Sequence, residues 1–442
     1  MVSLPAVTAR FYSSDEVQYF SYLRSLYFDR DVSFENEYRY FFDHGIAQSA
    51  GFHETFLERG TAAGRRVNYG TIGAAILWLP FYAAADAWTR TAGSSDANGF
   101  TQPYVNAVAY GSAFYGFLAV LLSLRAARTL VTGTPLAAGI AVWLGTPLLF
   151  YMYVAPPFSH ACSAFAVALF VNVWLHVRQE WSARGAFALG LSAALMAMVR
   201  EQDAFLALGP AVDFLWTSAR NASGLLKAGT SGIFGFLLGY VPQLLAYSAL
   251  NGYPGPAEHV SRKMYWYAPH GLQVLASPHH GFIFWTPLAL LAIGGLFTLR
   301  DRRVMWCLLI MVASQVYVAG SVESWTVAGA FGQRRFVCLT AVLAIGLSAL
   351  WTWIRDRAAL GVPSHTTARG IVFATAVALC VWWNVALMAQ FATRLMDRQR
   401  LEPARNAYHA FVTLPLAAPS LAYRYLADRQ SFYESRREGT SR

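Results

Sequence analysis

Two short charged pairs stand out in a chain of 442 residues that is 56% apolar and only 13% charged: Asp15-Glu16 and Arg334-Arg335. A carboxylate at the mouth of an apolar helical bundle can take a proton from a hydroxyl group. Two adjacent guanidinium groups at the start of an apolar stretch can hold a phosphate bidentately, more strongly where the dielectric is low. An acid for a hydroxyl and cations for a phosphate are what transfer from a phosphate-linked donor to a hydroxyl acceptor requires. Arg200, Lys263 and His160 are further polar residues beside apolar stretches, and Tyr19 lies one helical turn beyond the first pair.

Each of these residues also has a plainer reading. Ser13-Ser14-Asp15-Glu16 is an acceptable helix N-cap, and Tyr19, Tyr22, Leu23 and Leu26 recur at helical spacing behind it, as in a capped amphipathic surface helix. The carboxylates between Asp29 and Glu37 leave room for a divalent cation, but their spacing matches no EF-hand, and a solvated acidic face explains them better. His160 follows the Pro-broken turn Tyr153-Val154-Ala155-Pro156-Pro157-Phe158-Ser159, where a lone histidine is often a hydrogen-bonded structural residue. Arg200 precedes Glu201 and Asp203, with which a local ion pair is expected. Lipid-headgroup snorkelling competes with phosphate binding at Arg334 and Arg335.

The elements that must position these residues follow from the apolar windows. Roughly 20 apolar residues cross a bilayer core, and lipid leaves only the helix to satisfy their backbone groups. The uncharged windows predict an all-α, polytopic transmembrane bundle of about 10–11 spans, at 105–124, 135–154, 161–177, 186–199, 203–218, 231–250, 282–299, 304–321, 336–354 and 370–391. An ordinary soluble enzyme is excluded. Five alternate loops carry twelve basic residues against three acidic ones, Glu180, Asp301 and Asp356, and are assigned to the cytoplasm. The 11–104 segment is net acidic, with seven basic residues against eleven acidic, and reads as a first extracytoplasmic loop of juxtamembrane helices. Its apolar run from Thr71 to Trp88, interrupted by Pro80 and Asp86, fits an interfacial or re-entrant helix better than a span. The net charge of +10 then belongs to the membrane topology, and no nucleic-acid partner is expected.

The chain organises as one membrane catalytic domain, 1–391, followed by a basic amphipathic tail, 392–442, with nine basic and five acidic residues. The tail falls outside the cell by parity, against the charge rule. Residues Met1 to Arg10 lead straight into an outer loop, as if a first transmembrane helix were missing or Val2 to Val7 were its remnant. Cys162, Cys307, Cys338 and Cys380 show no Cys-x-x-Cys spacing, which argues against a metal cage.

With these residues in place, the sequence resembles the C-type (GT-C) glycosyltransferases, a polytopic superfamily that includes protein O-mannosyltransferases and aminoarabinose transferases. The resemblance rests on Asp15-Glu16 with Tyr19 and Arg24, Pro80-Phe81, Ser159-His160, Arg200, and Gly332-Gln333-Arg334-Arg335. It implies an enzyme of the bacterial-type inner membrane that transfers a hexosyl or pentosyl group from a polyprenyl-phosphate carrier to an acceptor hydroxyl on the extracytoplasmic side. Asp15, with Glu16 as its neighbour, would be the catalytic carboxylate. Arg334, Arg335, Arg200 and Lys263 would bind the donor phosphate, and His160 and Tyr19 would support them. A lipid, glycan or protein would accept the sugar, and no cofactor is firmly implied beyond the room for a divalent cation. A flippase for lipid-linked sugars, or a polysaccharide polymerase or ligase, is the competing reading. Flippases usually place ionisable groups at mid-membrane and show internal repeats, and a polymerase would favour a large late loop. A purely structural role leaves both charged pairs unexplained.

Overall fold

The computed structural model describes residues 4–93, 97–133, 135–218, 222–327, 329–359 and 363–427. Residues 1–3, Arg220 and residues 428–442, which belong to the N-terminal, loop and tail readings above, lie outside the described residues. The protein is all-α: among the described residues there is no strand, only two isolated bridges, Gly60 with Arg66 and Met264 with Val322. Six helices among the described residues are long and apolar enough to cross a membrane: Gln102–Leu130, His160–Val177, Leu226–Asn251, Arg302–Ser321, Arg334–Asp356 and Ala368–Thr393. The chain is a multi-pass integral membrane protein.

The four other predicted windows are also helical but short or broken. Window 186–199 is the Ala183–Val199 helix, and window 203–218 joins a tight turn at Glu201–Ala207 to the Leu208–Ser218 helix. Windows 135–154 and 282–299 break at Pro147 and Pro287, where the missing N–H and the ring end one helical ladder and begin another. The carbonyls freed at the first break are not left bare. Asn384 Nδ2 donates to Leu144 O at 2.7 Å and to Thr146 O at 3.1 Å, which makes the break tolerable inside the bundle.

Helices meet closely where glycines allow it. A Cβ at Gly190 would lie 2.0 Å from the Gly232 carbonyl oxygen, and one at Gly295 the same distance from that of Gly346. These two contacts hold Ala183–Val199 against Ala222–Asn251 and Leu288–Leu296 against Thr340–Ala359, the small-residue packing that substitutes for hydrophobic driving force in lipid.

Three of the loops assigned to the cytoplasm, those at Arg178, at Arg300 to Arg303 and at Asp356, meet at one end of the bundle. Arg178 Nε bonds Asp213 at 2.9 Å and Arg178 Nη1 bonds Asp301 at 3.0 Å, while Arg303 reaches Asp213 at 3.1 Å. Asp301 also caps the Arg302–Ser321 helix by accepting from the backbone N–H of Arg303 and Val304. Arg300 lies 3.8 Å from Asp356 at the same end.

The first loop folds at the other end. Helices Ser14–Arg24 and Glu35–Asp43 pack through Phe11, Phe20 and Phe41, whose rings meet edge to face 4.9–5.5 Å apart. The Gly73–Thr91 helix, with Pro80 inside it, lies alongside. At its start Gly73 touches the backbone of Met198 and Val199, and near its end Asp86 accepts from Tyr104 at 2.6 Å and Tyr27 at 3.1 Å. Both ends therefore touch elements at the first-loop end of the bundle. Val7 packs on Ala109 and Ala113, so the N-terminal segment also joins the bundle. The tail is docked through Leu414: Asn406 and Gln390 exchange hydrogen bonds, and Ala410 and Leu414 pack on Ala386.

Candidate active site

Asp15 owes its position to the start of the Ser14–Arg24 helix. Glu16 closes the turn from the other side, accepting from the backbone N–H of Ser13 at 3.0 Å and from that of Tyr12. Glu16 is fully buried, its Oε1 has no partner, and burial pushes its carboxyl up to about 8. It caps the helix that carries Asp15 and does not line the cavity described below. The helix is fixed to the loop before Gly73: Gln18 Oε1 accepts from Tyr69 N at 2.7 Å, and Asn68 Nδ2 donates to Gln18 O at 3.0 Å. Thr71 Oγ1 in turn donates to Val199 O at 2.9 Å, one residue before Arg200.

Arg334 and Arg335 begin a tight helical turn that runs into the Thr340–Ala359 helix. The approach needs glycine at position 332, where φ is +59° and an added Cβ would lie 2.8 Å from Pro147. Tyr151 donates to Phe331 O at 3.2 Å, Gln333 to Trp325 O at 3.1 Å, and Gln315 to Arg335 O at 2.6 Å, so the segment is held from three sides.

These elements bring the two charged pairs together. Arg334 Nη1 lies 2.8 Å from an Asp15 carboxylate oxygen, across 319 positions of chain, and its guanidinium also sits 5.3 Å over the Phe158 ring. Both residues line one cavity of about 420 Å³ together with Tyr19, Arg200, Lys263 and Arg335. Arg335 bonds Ser324 O at 2.9 Å and Ser324 Oγ at 3.1 Å. Arg200 donates to His160 Nδ1 at 3.1 Å and to Ser159 Oγ at 3.4 Å. His160 is buried against Tyr151 and Phe158 and stays off the cavity wall; it orients the Arg200 guanidinium from behind. Among the described residues, no carboxylate lies within 4 Å of Arg200, Arg335 or Lys263. The expected ion pair of Arg200 with its sequence neighbours is absent: Asp203 instead accepts from Ser163 at 2.6 Å.

Arg24 and the acidic run of the first loop stand apart from this cavity. Arg24 pairs with Glu37 at 2.9 Å and with Asp29, and packs 4.6 Å over the Phe100 ring. Burial nevertheless pushes the Glu37 carboxyl up to about 7, against the pull of Arg24. Glu35 pairs with Arg39 at 2.6 Å and with Arg66 at 2.8 Å. Among the described residues, no three His, Cys, Asp or Glu side chains converge in a way that would hold a metal ion.

The cavity also contains residues to which sequence reasoning assigned no part in the transfer: Gln18, Tyr69, Glu201, Phe205, His259 and Trp266. Glu201 Oε1 accepts from Tyr247 at 2.6 Å and from Tyr240 at 3.2 Å. Burial raises its carboxyl above the ordinary range while the two phenols pull it back. Chemically, the cavity offers one carboxylate beside a guanidinium, three further cations without counter-ions, and an aromatic wall with a second carboxylate. That is a pocket for an anion attached to a larger polar group.

The chain matches no protein-family model, and no curated protein matches it. Among solved structures it is similar to ArnT from Cupriavidus metallidurans bound to undecaprenyl phosphate, at 15% sequence identity and a TM-score of 0.48, over 92% of this chain and 72% of that one.

Proposed function

We propose that the protein is a C-type membrane glycosyltransferase that moves a sugar from a polyprenyl-phosphate carrier to an acceptor hydroxyl on the extracytoplasmic side. The observation that carries this reading is the Asp15–Arg334 contact at 2.8 Å on a cavity that Arg200, Arg335 and Lys263 line without carboxylates of their own. Three unneutralised cations in one partly enclosed space are costly unless an anion is bound there, and a carrier phosphate supplies that charge.

The chemistry is a single displacement. The acceptor O–H gives its proton to an Asp15 carboxylate oxygen as the acceptor oxygen forms its bond to the sugar's anomeric carbon. The bond from that carbon to the phosphate oxygen breaks with inversion, and the electron pair leaves with the phosphate. The charge building on the phosphate falls to Arg334 and Arg200, oriented in advance by Asp15 and His160, with Arg335 and Lys263 adding to the field. Tyr19 shapes the wall between the helix start and Arg334. The positive-inside distribution of the loops supports an outer-face cavity, because the matched ion network and the cavity lie at opposite ends of the bundle.

The test is transfer from radiolabelled polyprenyl-phosphate sugars in vesicles, comparing wild type with Asp15→Asn. The expected result is transfer by the wild type and loss of about 10²- to 10⁴-fold in the variant, the usual range for removing a general base. Equal transfer by both removes Asp15 from the reaction. Donor crossing the bilayer without transfer identifies a flippase instead.

A further inference from the structure

The displacement described above uses one carboxylate, yet the cavity holds two. Glu201 lies at the turn after Arg200, and its Oε1 accepts both the Tyr247 and the Tyr240 hydroxyls, at 2.6 and 3.2 Å. Both phenols come from the Ala222–Asn251 helix, so the carboxylate is anchored from a different element than the one that carries it. Its second oxygen, Oε2, makes no hydrogen bond among the described residues, and the residue lines the cavity. A carboxylate anchored through one oxygen, with the other open to the cavity beside an anion site, can accept hydrogen bonds from the donors of a ligand.

The rest of the wall narrows the kind of donor. Tyr19, Tyr69, Phe205 and Trp266 line the same cavity, with the Phe205 and Trp266 rings 5.6 Å apart. Aromatic faces pack well on the C–H faces of a sugar ring, which leaves its hydroxyls for polar groups at the edge. An ammonium group is the other ligand a carboxylate takes. Here, however, Arg200, Lys263, Arg334 and Arg335 outnumber Asp15 and Glu201 in the cavity, and their field repels a second cation.

Building on the glycosyltransferase reading, we propose that Glu201, braced by Tyr240 and Tyr247, is the sugar-recognition residue. It accepts hydrogen bonds from the hydroxyls of an uncharged sugar whose phosphate rests on Arg200 and Arg334. No proton is transferred in this contact, and the carboxylate stays an acceptor throughout.

The test compares binding of sugar-free polyprenyl phosphate with binding of uncharged hexose- and pentose-bearing polyprenyl phosphates to the full chain in nanodiscs. Wild type is expected to prefer at least one sugar-bearing carrier. Glu201→Gln should weaken that binding by about 10- to 100-fold, the range for a hydrogen bond to a charged group, and leave the sugar-free carrier within about 2-fold. Tyr247→Phe, which loosens the brace and keeps the carboxylate, should move the same ratio by a smaller amount. A merely structural Glu201 would change both ligands equally or neither, and either result overturns the proposal. Wild type that binds neither carrier overturns the glycosyltransferase reading along with it. Wild type that binds both carriers equally overturns the Glu201 assignment alone.

Discussion

The two ends of the helical bundle use the same side chains to opposite purposes. At one end Asp213 is only 1% exposed and takes Arg178 and Arg303 at 2.9 and 3.1 Å, with Trp174 Nε1 at 3.0 Å, while Asp301 completes the circuit through Arg178. Charge closes on charge there, and the network ties His160–Val177, Leu208–Ser218 and Arg302–Ser321 together. At the other end Asp15 and Arg334 meet at 2.8 Å, but both remain partly open, at 38% and 22% exposure, and three more cations share their cavity. In the first network the charges pair off and tie helices together, whereas around the cavity three cations are left without a carboxylate among the described residues.

The comparison breaks most visibly if each carboxylate is neutralised in turn. Asp15→Asn should cost about 10²- to 10⁴-fold in transfer with little change in thermal unfolding, since its partner stays partly solvated. Asp213→Asn should do the reverse, leaving two partly buried guanidinium groups short of charge. We expect a loss of about 1–3 kcal/mol in stability, measured by denaturant or thermal unfolding in detergent, with activity per folded molecule preserved. Arg200→Ala sharpens the contrast further. It should weaken binding of polyprenyl phosphate by about 10-fold or more and reduce the salt dependence of that binding, and His160→Ala should shift it the same way by less.

The last expected effect is local to the helix start. Glu16 titrates near 8 in the folded protein against 4.5 for the ordinary carboxyl, so the folded state holds the extra proton between those values. The stability this contributes is fully present below about pH 4.5 and is lost as pH rises through about 8. The first loop should therefore unfold more readily at pH 8 than at pH 5, and Glu16→Gln should flatten that dependence in a hydrogen-exchange measurement of residues 12–24. Glu37, pushed up to about 7, acts in the same direction.

What could be read from the sequence follows the physics of each feature. The ten helical windows were legible because lipid demands uninterrupted apolar runs, although Pro147 and Pro287 divide two of them into shorter helices. Asp15, Arg334, Arg335, Arg200 and Lys263 were visible because charge beside an apolar stretch stands out from its background. Their convergence on one cavity is expected from the chemistry that a phosphate-linked donor demands and not from any pattern along the chain, since the 319 positions between Asp15 and Arg334 carry no periodic signal. Glu201 was hidden by its neighbour: next to Arg200 it reads as half of a local ion pair, and only the fold shows that Tyr240 and Tyr247 claim it. Glu16 and Arg24 misled in the other direction. Acidic and basic residues at a loop helix look like chemistry, yet Glu16 caps a turn and Arg24 balances Glu37.

The central claim is that Asp15 and Arg334 act as one unit on one bound donor. The most direct measurement is a double-mutant cycle on sugar transfer with Asp15→Asn, Arg334→Gln and the combined variant, each purified and shown to be folded. Residues that work on the same reacting group are strongly non-additive, so the combined variant should be no more impaired than the worse single one. If the two losses simply multiply, the residues act independently and the shared active site is wrong.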